Sequence, residues 1–227
     1  MPEIKERPIL FSGPMVRAIL EGRKTVTRRA VKPQYLEGPW SVKPAENPRH
    51  ERHSHDWWLP TGSQPYAALP HCPYGRPGDR LWVREGLGYD CEYGHYFAAG
   101  GKHGETVYLC SLFDDEDAQT GPSYDGLLPE RSVPSIHLHR RYSRILLEIT
   151  DVRVERLQDI TWEQALDEGI GDHRFECDRP VEPDGYPACS CGSVGYVDAF
   201  AALWNSTGGD WDANPWVWVV EFRRVQP

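Results

Sequence analysis

A mixed α+β fold is predicted by three features of the sequence. Candidate strands outnumber candidate helices, the elements are short, and the two kinds are interleaved along all 227 residues. A chain of that length suits one domain, 1–227, with room for a buried core.

The elements follow in order. Met15 to Glu21 reads as a helix, because Met15 and Ile19, then Val16 and Leu20, repeat at the i, i+4 spacing of one helical face. Ser12 is placed to cap it, Pro14 fits its first turn, and Gly22 is a natural stop. The run Lys24-Thr25-Val26-Thr27-Arg28 then reads as a strand, favoured by its β-branched residues. Asp79 to Glu85 is a second strand, opened by the Pro77-Gly78-Asp79 turn. A further strand is expected at Glu105 to Leu109. Arg144 to Arg156 carries the clearest β alternation, with Ile145, Leu147 and Ile149 on one face and Leu146, Glu148 and Thr150 on the other. Thr161 caps a helix that runs toward Glu168 and ends at Gly169. Val197 to Trp204 forms another helix, and Trp216 to Phe222 a last strand. Residues 33–70, 86–130 and 171–195, rich in Pro, His, Gly, aromatic or acidic residues without a clear period, read as insertions or long loops.

Composition narrows the functional classes. No apolar run is long enough to span a bilayer and the N-terminal stretch lacks a signal-peptide core, so a cytoplasmic protein without a membrane partner is expected. Six cysteines are too few to suggest a disulfide scaffold. A net charge of −9 argues against a coat that binds nucleic acid by bulk electrostatics. The charge is uneven, however. Arg17, Arg23, Lys24, Arg28, Arg29 and Lys32 face Glu21 alone, and His137, His139, Arg140, Arg141 and Arg144 form a second basic run. Two basic patches on an acidic body suit capture of a selected ligand.

The first of these patches is the strongest candidate site. On a strand, Thr25, Thr27 and Arg29 would share one face, and Lys24, Val26 and Arg28 the other. One lysine, two arginines and a threonine hydroxyl at a helix-to-strand junction suit an anionic or nucleobase-bearing ligand; a solvated basic turn is the plainer alternative. Among nine tryptophans, Trp82, Trp204 and Trp218 lie in apolar periodic contexts and are expected in the core. Trp40, Trp57 and Trp58 lie in the polar insertion, either as surfaces for stacking bases or as packing beneath the loop. His173, Cys177, Cys189 and Cys191 have a spacing that would suit a structural Cys3His zinc stapling the third insertion, with ordinary free thiols as the alternative. The cluster His50, His53, His55, His71 and Cys72 is a weaker metal candidate.

Four ordered motifs add a family resemblance. Arg7-Pro8-Ile9-Leu10-Phe11 leads into Met15 to Thr25, and Tyr74-Gly75-Arg76-Pro77-Gly78-Asp79-Arg80-Leu81-Trp82-Val83-Arg84-Glu85 follows. Ile149 to Glu155 precedes Ala165-Leu166-Asp167-Glu168-Gly169-Ile170, and Phe200 to Trp204 precedes Asn214 to Phe222. Together they resemble the ASCH family of the PUA-like superfamily, most closely its prophage-type members. The resemblance implies a PUA-like β-barrel flanked by short helices. It also implies a pocket that takes a nucleobase, nucleotide or single-stranded RNA, lined by Arg23, Lys24, Thr25, Thr27, Arg28, Arg29 and Glu168, with Arg84 and Glu85 added from the Trp82 strand. A small bacterial member of the family hydrolyses N4-acetylcytidine, and its Gly-Arg-Lys-Thr-x-Thr segment is similar to Gly22–Thr27. By that likeness Lys24, Thr27 and Glu168 would be catalytic, needing no cofactor. Chemically the set is coherent, since a threonine hydroxyl needs a base to become a nucleophile and a glutamate can orient the lysine or protonate a leaving amine. An ordinary Lys24–Glu168 ion pair, a ribonuclease and a non-catalytic reader of modified nucleotides are the alternatives.

Overall fold

The computed structural model describes residues 4–34, 40–50, 53–59, 61–109, 128–170 and 195–225. In chain order the elements begin with strand β1 (Glu6–Leu10), helix α1 (Gly13–Leu20) and strand β2 (Val26–Ala30). Strands β3 (Ser41–Pro44), β4 (His55–Trp58) and β5 (Ala67–Ala68) follow. Next come β6 (Arg80–Arg84), β7 (Leu87–Asp90), β8 (Gly94–Phe97) and the long β9 (Leu146–Arg156). Helices α2 (Trp162–Asp167) and α3 (Tyr196–Ser206) precede the final strand β10 (Trp216–Val225). The fold is thus mixed α+β with strands in the majority.

The chain divides into two units. The first is formed by Met1–Thr25, Pro77–Thr150 and Phe222–Pro227, the second by Val26–Arg76 and Asp151–Glu221. Strands β9 and β10 each run from one unit into the other.

In the first unit β1 lies parallel to β6, with Ile9 opposite Val83, and β6 lies antiparallel to β9, with Leu81 opposite Leu147. All four of these side chains are buried, as expected of strands covered on both faces. A β7–β8 hairpin sits beside a core of Leu87, Phe97, Leu109, Val133, Leu138 and Tyr142. Gly88 permits the hairpin: a Cβ there would fall 2.2 Å from the Tyr96 ring. The strand expected at Glu105 to Leu109 is reduced to one bridge, between Tyr96 and Tyr108.

In the second unit β10 pairs antiparallel with β2, Val220 opposite Thr27 and Val219 opposite Arg28. Val26, Val217 and Val219 pack with Leu157, Ile160, Ala165 and Phe200 in a single core cluster. Residues 33–70, expected as a loop, instead carry the three-stranded antiparallel sheet β3–β4–β5. Trp57 anchors it, 1% exposed and edge-on to Trp216 with ring centres 6.3 Å apart. Trp57 is therefore core rather than a stacking surface, and Trp58 is half-buried. Trp82 and Trp218 are buried as expected, and Trp204 packs against the core cluster.

Sheet closure is not reached among the described residues. In the hydrogen-bonded order, β1 has β6 as its one neighbour and β2 has β10.

Candidate functional site

Helices α1 and α2 end in the same way. After α1, the Gly22 N–H donates to Ile19 O at 3.1 Å and the Arg23 N–H to Ala18 O at 2.9 Å. Gly22 itself takes φ 81°, the left-handed conformation that this ending requires. After α2, the Gly169 N–H reaches Leu166 O at 2.8 Å, and Gly169 takes φ 89°. The turn after α1 delivers Lys24, whose own N–H also bonds Ala18 O at 3.0 Å, and the end of α2 leaves Glu168 as the C-cap residue.

Five polar residues of the predicted site are buried: Lys24, Thr27, Arg28, Glu85 and Glu168 are 2–3% exposed. Charged side chains are almost never this buried without a partner or a task. Lys24 belongs to the first unit, where its Nζ lies 5.5 Å from the centre of the Phe11 ring. It precedes β2, so strand alternation does not govern its direction.

Thr27, Arg28, Arg29 and Glu168 belong to the second unit. Residues paired directly across an antiparallel ladder share a face. Thr27 and Val220 therefore share one face with Arg29 and Trp218, while Arg28 and Val219 share the other with Val26 and Glu221. The Arg28 face is the one that looks onto α2. There Arg28 Nη1 donates to Glu168 Oε1 at 3.4 Å, and Nη2 donates to Glu155 Oε2 at 3.3 Å and Gln164 Oε1 at 2.7 Å. The Arg28 side chain is wholly buried, yet among the described residues its Nε finds no acceptor. Gln164 serves twice, since its Oε1 also accepts the Thr161 N–H at 3.2 Å in the capping box that starts α2.

Glu155 passes the network on to Arg153, which also pairs with Glu221 and, at 3.3 Å, with Asp151. Burial works against the Arg153 cation, but the hydrogen bonds it donates to Glu155 and Glu221 outweigh it and raise its pKa.

The remaining residues predicted for the pocket belong to the first unit. Arg23 is exposed and pairs with Glu21, and Thr25 is exposed. Arg84 and Glu85 lie in the first unit and have partners of their own. Arg84 stacks 4.8 Å from the Trp82 ring centre and donates to Ile136 O at 3.2 Å. Glu85 is 2% exposed with both oxygens held by Arg144, at 2.9 and 2.8 Å. Burial pushes the Glu85 carboxyl up, and Arg144 pulls it back only in part. Glu85, expected as a ligand contact, is buried and paired with Arg144 in this structure. Arg144, read as part of a basic run, is its clasp.

Glu155, Gln164 and Arg153 were not foreseen. Arg153 and Glu155 stand two apart on the most regular strand, so a same-face ion pair was available as a signal. Gln164 was concealed by its capping role. The zinc set His173, Cys177, Cys189 and Cys191 lies outside the described residues, and among those described no group of three or more His, Cys, Asp or Glu is arranged to hold a metal. No described helix is long and apolar enough to cross a membrane.

No protein-family model, no curated protein and no solved structure matches the chain.

Proposed function

We propose that this protein binds a nucleobase-bearing ligand, as a nucleoside, nucleotide or single-stranded RNA, through its Gly22–Arg29 segment, on an ASCH-type, PUA-like β-barrel scaffold. The observation that carries the reading is Arg28. Its guanidinium is removed from water, holds two carboxylates only at 3.3 and 3.4 Å, and among the described residues keeps an unmatched Nε–H. Leaving a buried donor unsatisfied costs about 1–3 kcal/mol, so an acceptor supplied from outside would relieve it. A base carbonyl or a phosphate oxygen is such an acceptor, and the nearby Glu168 carboxylate suits an exocyclic amine.

An amidohydrolase acting on N4-acylated cytidine is the catalytic form of this reading, with Lys24 as base, Thr27 as nucleophile and Glu168 as acid. Burial of all three supports it. It asks more of the geometry, because the ladder register turns Thr27 away from the face on which Arg28 meets Glu168.

The test is a purified protein offered N4-acetylcytidine, cytidine monophosphate and a short single-stranded RNA. Binding, deacetylation and strand cleavage are followed in parallel for the wild type, Lys24→Ala, Thr27→Ala and Arg28→Ala. Binding weakened about tenfold or more by Arg28→Ala supports the reading. Deacetylation abolished by Thr27→Ala and by Lys24→Ala, with the double variant little worse than either, supports the catalytic form. Cleaved RNA without deacetylation would make the protein a ribonuclease. Binding and activity indifferent to both Lys24 and Arg28 would remove the segment from the function.

A further inference from the structure

The sheet β3–β4–β5 has no role in the reading above, yet it holds a polar cleft of about 190 Å³. We infer that this cleft is a second, separate site, built for one nucleobase that carries an exocyclic amine. Strand alternation sets Asp56 and Trp58 on one face of β4 and leaves Trp57 on the other, in the core. Both Asp56 and Trp58 line the cleft, together with Asn47, Arg49 and His53.

The chemistry of the lining selects the ligand. Asp56 and His53 are each 5% exposed and bonded, His53 Nε2 to Asp56 Oδ1 at 2.6 Å. His53 Nδ1 accepts the Arg49 N–H at 3.0 Å, which fixes the tautomer and leaves Nε2 as the donor to Asp56. One carboxylate oxygen is thereby occupied. Among the described residues nothing donates to the other, Oδ2. A carboxylate on the wall of the cleft with one oxygen taken favours a ligand N–H at the other, and an amino-bearing base edge presents one. Trp58 lines the cleft, and its indole gives a flat apolar surface on which the ring can stack. Exposed Arg49 on the cleft wall supplies positive charge for a phosphate attached to such a base, while Lys43 Nζ lies over the indole, 4.5 Å from its centre. The space is smaller than the ~300–1,000 Å³ of sites for drug-sized ligands, which suits a single base rather than a dinucleotide.

Hydrogen exchange read by mass spectrometry separates this site from the first. The full chain is titrated with cytidine, adenosine, guanosine and uridine monophosphates, and with single-stranded RNA hexamers of the same bases. Protection of peptides covering 40–59 and 61–69 is expected with the three amino-bearing bases, with uridine about tenfold weaker. Stronger protection by hexamers than by mononucleotides would assign the ligand as a strand; equal protection would assign it as the free nucleotide. Trp58→Ala should weaken binding at these peptides about tenfold or more, Trp58→Phe should retain most of it, and Asp56→Asn should erase the preference over uridine. Trp58→Ala carries the test if Asp56→Asn unfolds through loss of the His53 bond. Protection at 22–29 alone, or equal protection of 40–69 by uridine, would overturn the inference. Protection at 40–69 without any at 22–29 would sustain it while removing the reading of the signature segment.

Discussion

Arg144 in the first unit and Arg28 in the second are both buried against glutamates, but they are held differently. Arg144 meets Glu85 with two parallel bonds of 2.9 and 2.8 Å, adds the Gly100 carbonyl at 2.7 Å, and lies 4.0 Å from the centre of the Phe97 ring. Both oxygens of the carboxylate are engaged, one by Nε and one by Nη2. Arg28 divides itself among Glu155, Gln164 and Glu168, two of those contacts exceed 3.2 Å, and Nε is left over. A bidentate pair with short bonds is close to its optimum and gains little from any rearrangement. A cation spread over three acceptors can exchange one of them for a ligand at low cost. The same residue types thus make a strut in one unit and a poised donor in the other, and geometry alone separates the two.

Removing one partner of each pair is the strongest test of that contrast. Glu85→Ala leaves Arg144 buried without its carboxylate and should lower unfolding free energy by about 3–5 kcal/mol in a denaturant titration. Glu168→Ala leaves Arg28 with Glu155 and Gln164, so its cost should stay near 1–2 kcal/mol. Equal losses would mean that Arg28 is as firmly seated as Arg144, and the comparison would break.

A milder exchange sharpens it. Lysine keeps the charge and gives up the planar fork, so Arg28→Lys should change stability by less than about 1 kcal/mol while weakening nucleotide binding about tenfold. Arg144→Lys should do the reverse, costing about 2 kcal/mol with the nucleotide affinity of the folded fraction unchanged. Calorimetric titration beside thermal unfolding reads both quantities for each variant.

The unequal legibility of the two regions has a physical source. Helix ends are local, so Ser12, Gly22, Thr161 and Gly169 marked α1 and α2 to within a residue or two of where they lie. The alternation in β9 and the opposed faces of Thr27 and Arg28 are local as well. Glu85 and Arg144 stand 59 residues apart, and nothing near either announces the other. Glu85 could therefore be recognised as a polar residue worth explaining, but not as one already paired. The same holds for β4, where Trp57 is fixed by Trp216 from the far end of the chain and buried Asp56 breaks the apolar pattern that would reveal a strand. Arg28 was visible as a candidate in a basic run and Glu168 through the motif resemblance, whereas Glu155 and Gln164 became visible only once β9 and α2 were set against β2.

The smallest expected effect is one of pH, and it opposes Glu85 to a carboxylate of the same unit held at the surface. Burial raises the Glu85 pKa above its ordinary value near 4.5, while the hydrogen bond from Arg140, at 2.7 Å, lowers that of half-exposed Glu6. For Glu85 the folded state binds its proton more readily than the unfolded chain does. Its contribution to stability is therefore complete below the unfolded pKa and is lost as pH rises through the folded one. Glu6 has the opposite sign: its contribution is present above the unfolded pKa and fades as pH falls through the lowered folded value. Subtracting the stability of Glu85→Gln from that of the wild type should accordingly give a difference that moves in favour of the wild type as pH drops from 7 toward 5. The same subtraction for Glu6→Gln should stay flat over that range and turn against the wild type only below about pH 4.5. The slopes should be shallow beside the loss in Glu85→Ala, because Arg144 remains to offset part of the burial cost. A Glu85 difference that instead favours the wild type as pH rises would mean that Arg144 outweighs burial, and that the strut, like the Glu6–Arg140 pair, is stabilised by its charge.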